Sequence, residues 1–471
     1  MASDPPNSRP SPPGTAAAAL LMVVGAAAFG LYASTRPRIA LLSWMLVGLV
    51  AGVALTIVAA RHFWAFLLVL FAVRTSLDAF KEGGGSSGLL SPTVLVGGMF
   101  LVAATSWLVQ QRRLGRFGPV SRSARAMFAV SAACFLSVIG SKFPVTSFQA
   151  SFRVLSSAVM LLVLEQAFAQ RPARVRGLMI AVVVSLVVPA LFGIVQLVGN
   201  QQVQPEYGPK LPVGRILGTF VHPNAFATYL VVLIPLTIAM LPVYHGRPRT
   251  VLLGVAGLSC ALLMFTYARG AWLGAIIAVI AVGFLQDRRI VTGLLCALVA
   301  VVLFVPSVSA RLSDLGSSQK ANVDDPNSLS WRMKYWGSVL PMAGESPVTG
   351  IGLQNVELRT TAGLPPHNVF VQAFVETGVF GLCALLALVG CLIADLRRAL
   401  RRARPGFDRC IVVAAIGVGM GLLVQTASEN LLTQVVSHWY FLFPIAYATA
   451  LGNSPDAFVE RDADRPFVLV R

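Results

Sequence analysis

Along this chain, apolar runs alternate with short polar gaps almost from end to end. The runs cover 15–34, 39–60, 63–76, 89–108, 124–141, 152–170, 177–199, 224–243, 250–267, 271–286, 290–307, 368–394, 410–427 and 431–451. A helix rises 1.5 Å per residue and a bilayer core is about 30 Å thick, so a run of about 20 apolar residues predicts one crossing. Fourteen runs predict fourteen helices with both termini on one side. Run 63–76 is short and contains Arg74, and Arg36 with Arg38 would lie outside in the fourteen-span scheme, so twelve spans is the alternative. The predicted fold is therefore an all-α integral membrane protein with 12–14 transmembrane helices. Its N-terminal helices would fill 15–170 and a core 177–451, between a disordered cytoplasmic tail at 1–14 and a second cytoplasmic tail at 452–471.

Composition agrees with a lipid solvent. Hydrophobic residues make up 56% and charged residues 12%, the latter about half the usual share. A soluble fold leaves too much of its chain exposed to hide that apolar surface. The net charge of +18 raises the question of nucleic acid, but its distribution argues for none. Arginines cluster in gaps between runs: Arg112, Arg113, Arg116, Arg122 and Arg125; Arg171, Arg174 and Arg176; Arg247 and Arg249; Arg288 and Arg289; and six from Arg397 to Arg409. These alternate with gaps poorer in basic residues, as the positive-inside rule expects. Five of the six cysteines fall inside apolar runs, without a disulfide framework or CxxC spacing.

With the arginine clusters inside, the outer face receives 142–151, 200–223, the tight 268–270 turn, 308–367 and 428–430. Loop 308–367 holds Trp331 and Trp336 and is too long for a plain connector; it predicts a small extracytoplasmic cap with some helix. Three stretches put ionisable groups at span ends on that face, where such groups usually mark a site. GRILGTFVHPNAFA at 214–227 brings Arg215, His222 and Asn224 to the start of a span. FTYARGAWLG at 265–274 leaves Arg269 between two apolar runs, and PPHNVFVQAFVETGVFGL at 365–382 opens a span with His367 and Asn368 and carries Glu376 further in.

Arg269 taken alone reads equally as a snorkelling residue. Yet no topological rule calls for Arg215 and Arg269 on the charge-poor side, and two guanidiniums near a helix start suit a pyrophosphate, whose oxygens match the planar fork. His222, followed by Pro223, reads as a helix-start residue as well as a site residue. His367 has the near-neutral chemistry of a general base or proton carrier. Glu376, nine residues on from His367 and about 13 Å along the helix, would orient a group or pair with an Arg. Asp324 and Asp325 precede Pro326 with the wrong spacing for a metal-binding DxD, so no metal site is assigned. Walker, GxSxG and HExxH patterns are absent.

Together the three stretches resemble the bacterial O-antigen ligase and polymerase superfamily of membrane glycosyltransferases. Its R-x-x-G-T/S-F-x-x-P-N-x-x-A stretch is matched by Arg215, Gly218, Thr219, Phe220, Pro223, Asn224 and Ala227. Its S-R-G turn is matched by Ala268, Arg269 and Gly270, with Ala in place of Ser. After the long loop, its H-N…E-x-G-x-x-G-L pattern is matched by His367, Asn368, Glu376, Gly378, Gly381 and Leu382. Arg332, Trp336, Gly350 and Gly352 fit the family's loop, and the resemblance covers 180–450.

The resemblance implies an enzyme of the bacterial inner membrane with its active site facing the periplasm or exterior. It would move a glycan from undecaprenyl pyrophosphate to an acceptor hydroxyl on lipid A core or another glycan, in lipopolysaccharide or polysaccharide biosynthesis. Arg215 and Arg269 would hold the pyrophosphate and His367 would activate or position the acceptor, supported by His222, Asn224, Arg332, Asn368 and Glu376. The implied partners are membrane lipid, the lipid-linked glycan donor and a glycan or glycolipid acceptor; no cofactor, metal or ATP is implied, because pyrophosphate is already a good leaving group. A repeat-unit polymerase of the same superfamily remains open. So does a solute transporter, although transporters place binding groups near mid-membrane, whereas here they gather near one face.

Overall fold

A computed structural model of the chain describes residues 56–59, 61–80, 92–203, 214–304, 328–456 and 458. Regular structure among them is helical, apart from one isolated bridge between Val203 and Arg215. In order the helices are α1 (Phe63–Val73, prolonged by a 3-10 turn Arg74–Phe80), α2 (Pro92–Arg113), α3 (Arg122–Leu136), α4 (Pro144–Gln170), α5 (Arg174–Val184), α6 (Val187–Val198), α7 (Pro223–Met240), α8 (Arg247–Phe265), α9 (Arg269–Leu285), α10 (Arg289–Phe304), α11 (Ser328–Val339), α12 (Asn355–Arg359), α13 (Val369–Arg402), α14 (Phe407–Gln425) and α15 (Val435–Asn453). Each apolar run from residue 63 onward is thus a helix or, at 177–199, a pair of helices. Runs 15–34 and most of 39–60, the tail 1–14, loop residues 308–327 with Asp324 and Asp325, and the end of the 452–471 tail lie outside the described residues.

Eight of the described helical stretches are long and apolar enough to cross a membrane, with α5 and α6 counted as one stretch. The protein is an all-α integral membrane protein. Helix α7 is its axis, buried along nearly its whole length and packed on α8, α9, α14 and α15. Helices α9 and α14 approach each other closely, and glycine permits it. A Cβ on Gly274 would stand 2.7 Å from the Gly421 carbonyl, and one on Gly421 would stand 2.8 Å from the Gly274 carbonyl. Small residues bring helices together in lipid, where burial of apolar side chains gives no drive for association.

Successive helices alternate in direction, so their ends sort into two sets. One end of the bundle collects Arg112 and Arg113, Arg174 and Arg176, Arg247 and Arg249, Arg288 and Arg289, and Arg397 to Arg409. Buried carboxylates fasten helices there. Glu165 of α4 accepts from the Ser121 hydroxyl at 2.5 Å and from Thr449 at 2.6 Å, and Asp395 of α13 accepts from the Ser123 amide at 2.9 Å and its hydroxyl at 2.8 Å. The opposite end gathers every candidate residue of the three sequence stretches.

Helix α13 is broken. Gly378 has φ 67° and ψ −168°, which interrupts the ladder nine residues after the first helical position, Val369. The backbone of 347–352 lies against the break and repairs it. Ile351 and Gly352 donate to the Val375 and Glu376 carbonyls at 3.1 and 3.0 Å, while Val379 and Phe380 donate to the Pro347 and Val348 carbonyls at 2.9 and 3.4 Å. Backbone polar groups at membrane depth demand such partners. The approach excludes side chains: a Cβ on Gly350 would stand 2.3 Å from the Glu376 carbonyl, and one on Gly378 would stand 2.3 Å from that of Val348.

Candidate functional site

Arg215 lies in extended backbone that bridges Val203 on one side, with N–H to O distances of 2.7 and 2.9 Å. On the other side Ile216 donates to the Phe265 carbonyl at 3.1 Å. This sets the Arg215 guanidinium against the turn that joins α8 to α9, where its Nε donates to the Thr266 carbonyl at 2.7 Å. The turn is tight, with Tyr267 at φ 50°, and Arg269 follows as the first residue of α9. A Cβ on Gly270 would lie 2.3 Å from the Ser428 hydroxyl, so glycine lets the Arg269 end of α9 press against the turn between α14 and α15.

His222 and Asn224 open α7. The His222 Nδ1 accepts from the Asn224 amide at 3.1 Å, a cap that satisfies one of the helix's first free N–H groups. The Asn224 side chain accepts from an Arg215 terminal nitrogen and donates to Glu429 Oε1 at 2.6 Å. Burial, and then the Arg215 charge, push His222 down to about 4, so its ring is neutral at physiological pH, as capping requires.

His367 is held from two directions. Behind it, Asn368 caps α13 by accepting from the Phe370 and Val371 amides at 2.9 and 3.1 Å. Val369 donates to the Thr426 carbonyl at 2.9 Å, which ties this helix start to the end of α14. Ahead of it, α11 grips the 360–366 backbone: Trp336 Nε1 donates to the Pro366 carbonyl at 2.7 Å, and the Tyr335 hydroxyl bonds the Leu364 carbonyl and lies 2.8 Å from the Thr360 hydroxyl. The Trp331 ring meets His367 edge-on at 6.3 Å and stacks on Tyr335 at 4.9 Å. His367 takes φ 52°, a left-handed conformation uncommon for a residue with a side chain. Its Nδ1 is buried without a hydrogen-bond partner among the described residues. Burial first, then the charges of Arg332 and His222, lower its pKa to about 4.

The fields of these groups meet on Glu429, in the 426–434 turn. Its side chain is buried, and burial pushes the carboxyl up to about 7 against the pull of Arg332, Arg215 and the Asn224 hydrogen bond. Burial likewise lowers Arg332 while Glu429 raises it. Arg215, His222, Asn224, Arg332, His367 and Glu429 therefore form one electrostatic neighbourhood, and Arg269 borders the same turn. Glu376 does a different job: its Oε1 accepts from the Val356 amide at 3.0 Å and its Oε2 from Gln372 at 2.9 Å. It fastens α12 to α13 beside the break; of the two roles expected of it, orienting a group or pairing with an arginine, its bonds to an amide and a glutamine fit the first.

Glu429 is the residue that reading by motif passed over. The signal was available, because it is an acid in a short gap between two spans on the same face as the arginines. Chemically, the arrangement offers guanidiniums for an oxyanion, a neutral imidazole for a proton and one carboxyl poised near neutrality.

Residues 254–386 match the family model described as O-antigen ligase. This window contains Arg269, Arg332, His367 and Glu376. Among curated proteins the chain is similar to the exopolysaccharide production protein ExoQ of Rhizobium meliloti (strain 1021), with 23% identity over 336 residues, 64% of this chain and 71% of that one.

Proposed function

From the premise that the chain carries the O-antigen ligase family segment over 254–386, we propose that it is a membrane glycosyltransferase of polysaccharide biosynthesis. The donor is a glycan on undecaprenyl pyrophosphate, and the acceptor is a hydroxyl of lipid A core or another glycan. The reaction takes place on the outer face of the inner membrane. The observation that carries this reading is the convergence of Arg215, Arg332 and the Arg269 end of α9 on the turn that also meets His367.

In this reaction the acceptor hydroxyl attacks the anomeric carbon, the bond from that carbon to the pyrophosphate oxygen breaks, and undecaprenyl pyrophosphate leaves. The arginines stabilise the charge that grows on the leaving oxygen, which is where preorganised donors contribute most. His367 is neutral at physiological pH and takes the hydroxyl proton. A diphosphate beside Arg332 offsets one of the charges that depress the imidazole, so donor binding strengthens the base. The chemistry calls for no metal ion.

A polymerase acting on a lipid-linked repeat is the second reading, favoured by the likeness to ExoQ, an exopolysaccharide production protein. A solute transporter fits less well, because these groups lie at helix ends and in connecting turns. The test is transfer by the purified protein in vesicles. The substrates are a lipid-linked oligosaccharide with lipid A core or a second lipid-linked repeat as acceptor, in the presence of EDTA. A product of raised mass and release of undecaprenyl pyrophosphate are expected. No transfer to either acceptor by a protein that binds the donor would sink the proposal, and transfer only with added divalent metal would sink its metal-free form.

A further inference from the structure

We infer that Glu429 is a positioning residue that keeps the place of the donor's diphosphate: the arriving phosphates take over Arg215 and Arg332, and the displaced carboxylate takes up one proton from solvent. The inference rests on the donor reading above and adds a proton to it.

The geometry carries it. Glu429 reaches Arg215 through Asn224, whose side chain accepts from the guanidinium and donates to the carboxylate at 2.6 Å. The charge of Arg332 on α11 also acts on it. Among the described residues, the charged and titratable groups around it are Arg215, His222 at the start of α7, Arg269 at the start of α9, Arg332, and His367 before α13. Both histidines are neutral at physiological pH, so Glu429 is the described negative charge set among these cations. A diphosphate brings at least two more negative charges to the same guanidiniums, and like charges that share a buried site cannot all stay ionised. The group with the smallest cost of protonation yields, and that is Glu429, which burial already holds at about 7. The step balances as carboxylate plus a solvent proton giving carboxylic acid, with no bond broken in the donor.

The sign of the pH effect follows. Below pH 7 the carboxyl is already protonated, so a diphosphate binds without further uptake. Above it, binding must draw in the proton and weakens by up to tenfold per pH unit. A carboxylate that merely braces the turn gives no such coupling.

The test uses the full-length protein in nanodiscs and farnesyl diphosphate as the probe, by calorimetry at pH 6 and pH 8 in two buffers of different ionisation enthalpy. The probe's own titration is common to all variants and cancels in comparison. The wild type should take up close to one more proton at pH 8 than Glu429→Gln, whose amide still accepts from Asn224. Glu429→Gln should bind about tenfold tighter than wild type at pH 8 and equally at pH 6. Equal proton counts and parallel affinities in the two proteins overturn the inference and leave the donor reading standing. No binding by the wild type at either pH removes the donor reading and the inference with it. If Glu429→Gln fails to fold, the wild type's infrared difference spectrum decides: a protonated-carboxyl band should grow in on adding the probe at pH 8, and its absence overturns the inference.

Discussion

The Asn224 side chain stands between Arg215 and Glu429, accepting from the guanidinium and donating to the carboxyl at 2.6 Å. An amide with both faces engaged fixes two ionised groups at a set separation without bringing them into direct contact. Replacing Asn224 by Ala strands a buried carboxyl oxygen, a loss of about 1–3 kcal/mol at that site. Thermal stability should fall by that amount and no more, because the α7 cap comes from His222, and donor affinity should fall with it. Titration with a prenyl diphosphate alongside a melting curve checks this; a fall in melting temperature with unchanged affinity would mean that Asn224 braces the fold alone.

Arg215→Lys and Arg269→Lys keep the charge and lose the planar fork. Each should lower transfer by about a hundredfold or more while the protein inserts normally. Initial rates on purified variants, normalised to folded protein by size-exclusion profile, measure it, and near-full activity in both would return the pair to snorkelling.

His367→Ala should cut transfer by a factor of about 10²–10⁴ and leave donor binding largely intact. In the wild type the imidazole's share of the pH profile lies far lower than its usual value near 6.5. At low donor concentration, where the profile reports the free protein, a pKa of about 4 keeps the ring neutral as the pH falls from 7 to 5, and the loss of base function begins only below that. A rate that halves near pH 6.5 in the wild type but not in a His367→Gln background would show an ordinary, solvated imidazole.

Orientation is open to chemistry. In a chain whose native cysteines are replaced, Ala362→Cys, on the exposed 361–363 stretch, should react with an impermeant maleimide added outside whole cells. Arg288→Cys, exposed at the arginine-rich end, should react only after permeabilisation. The reverse pattern would turn the active face inward.

Much of the architecture was legible because lipid simplifies the code: twelve apolar runs from residue 63 became helices with bounds within about five residues, except that α4 began eight residues early, at Pro144, and α13 ended eight residues late, at Arg402. That Asn224 and His367 stand at span starts with Arg215 close by was legible from the polar residues that interrupt the apolar runs. Glu429 was not, since an acid in a three-residue gap looks like an ordinary turn until Asn224 and Arg332 are brought to it across the bundle. Nor was the role of Glu376, whose partner amide belongs to Val356, twenty residues earlier on a helix of five residues. The break at Gly378 hid for the same reason: the sequence shows a glycine in an apolar run, while its cause is the strand of backbone at 347–352.

A further substitution tests that break. Gly378→Ala meets both a left-handed φ and the Val348 carbonyl, a cost of about 2 kcal/mol or more. The melting temperature and His367-dependent transfer should drop together, and an unchanged melting curve would show that the helix can close over without the loop.

The break also constrains how the chain can change in length. Two donors and two acceptors of 375–380 are matched to 347–352 residue by residue, so one residue inserted or lost within either segment shifts the pairings beyond it by a step. At membrane depth each amide left unmatched costs several kcal/mol. The segments 347–352 and 375–380 therefore behave as a fixed ruler in spacing and, at Gly350 and Gly378, in side-chain size as well, and relatives should tolerate insertions only outside them.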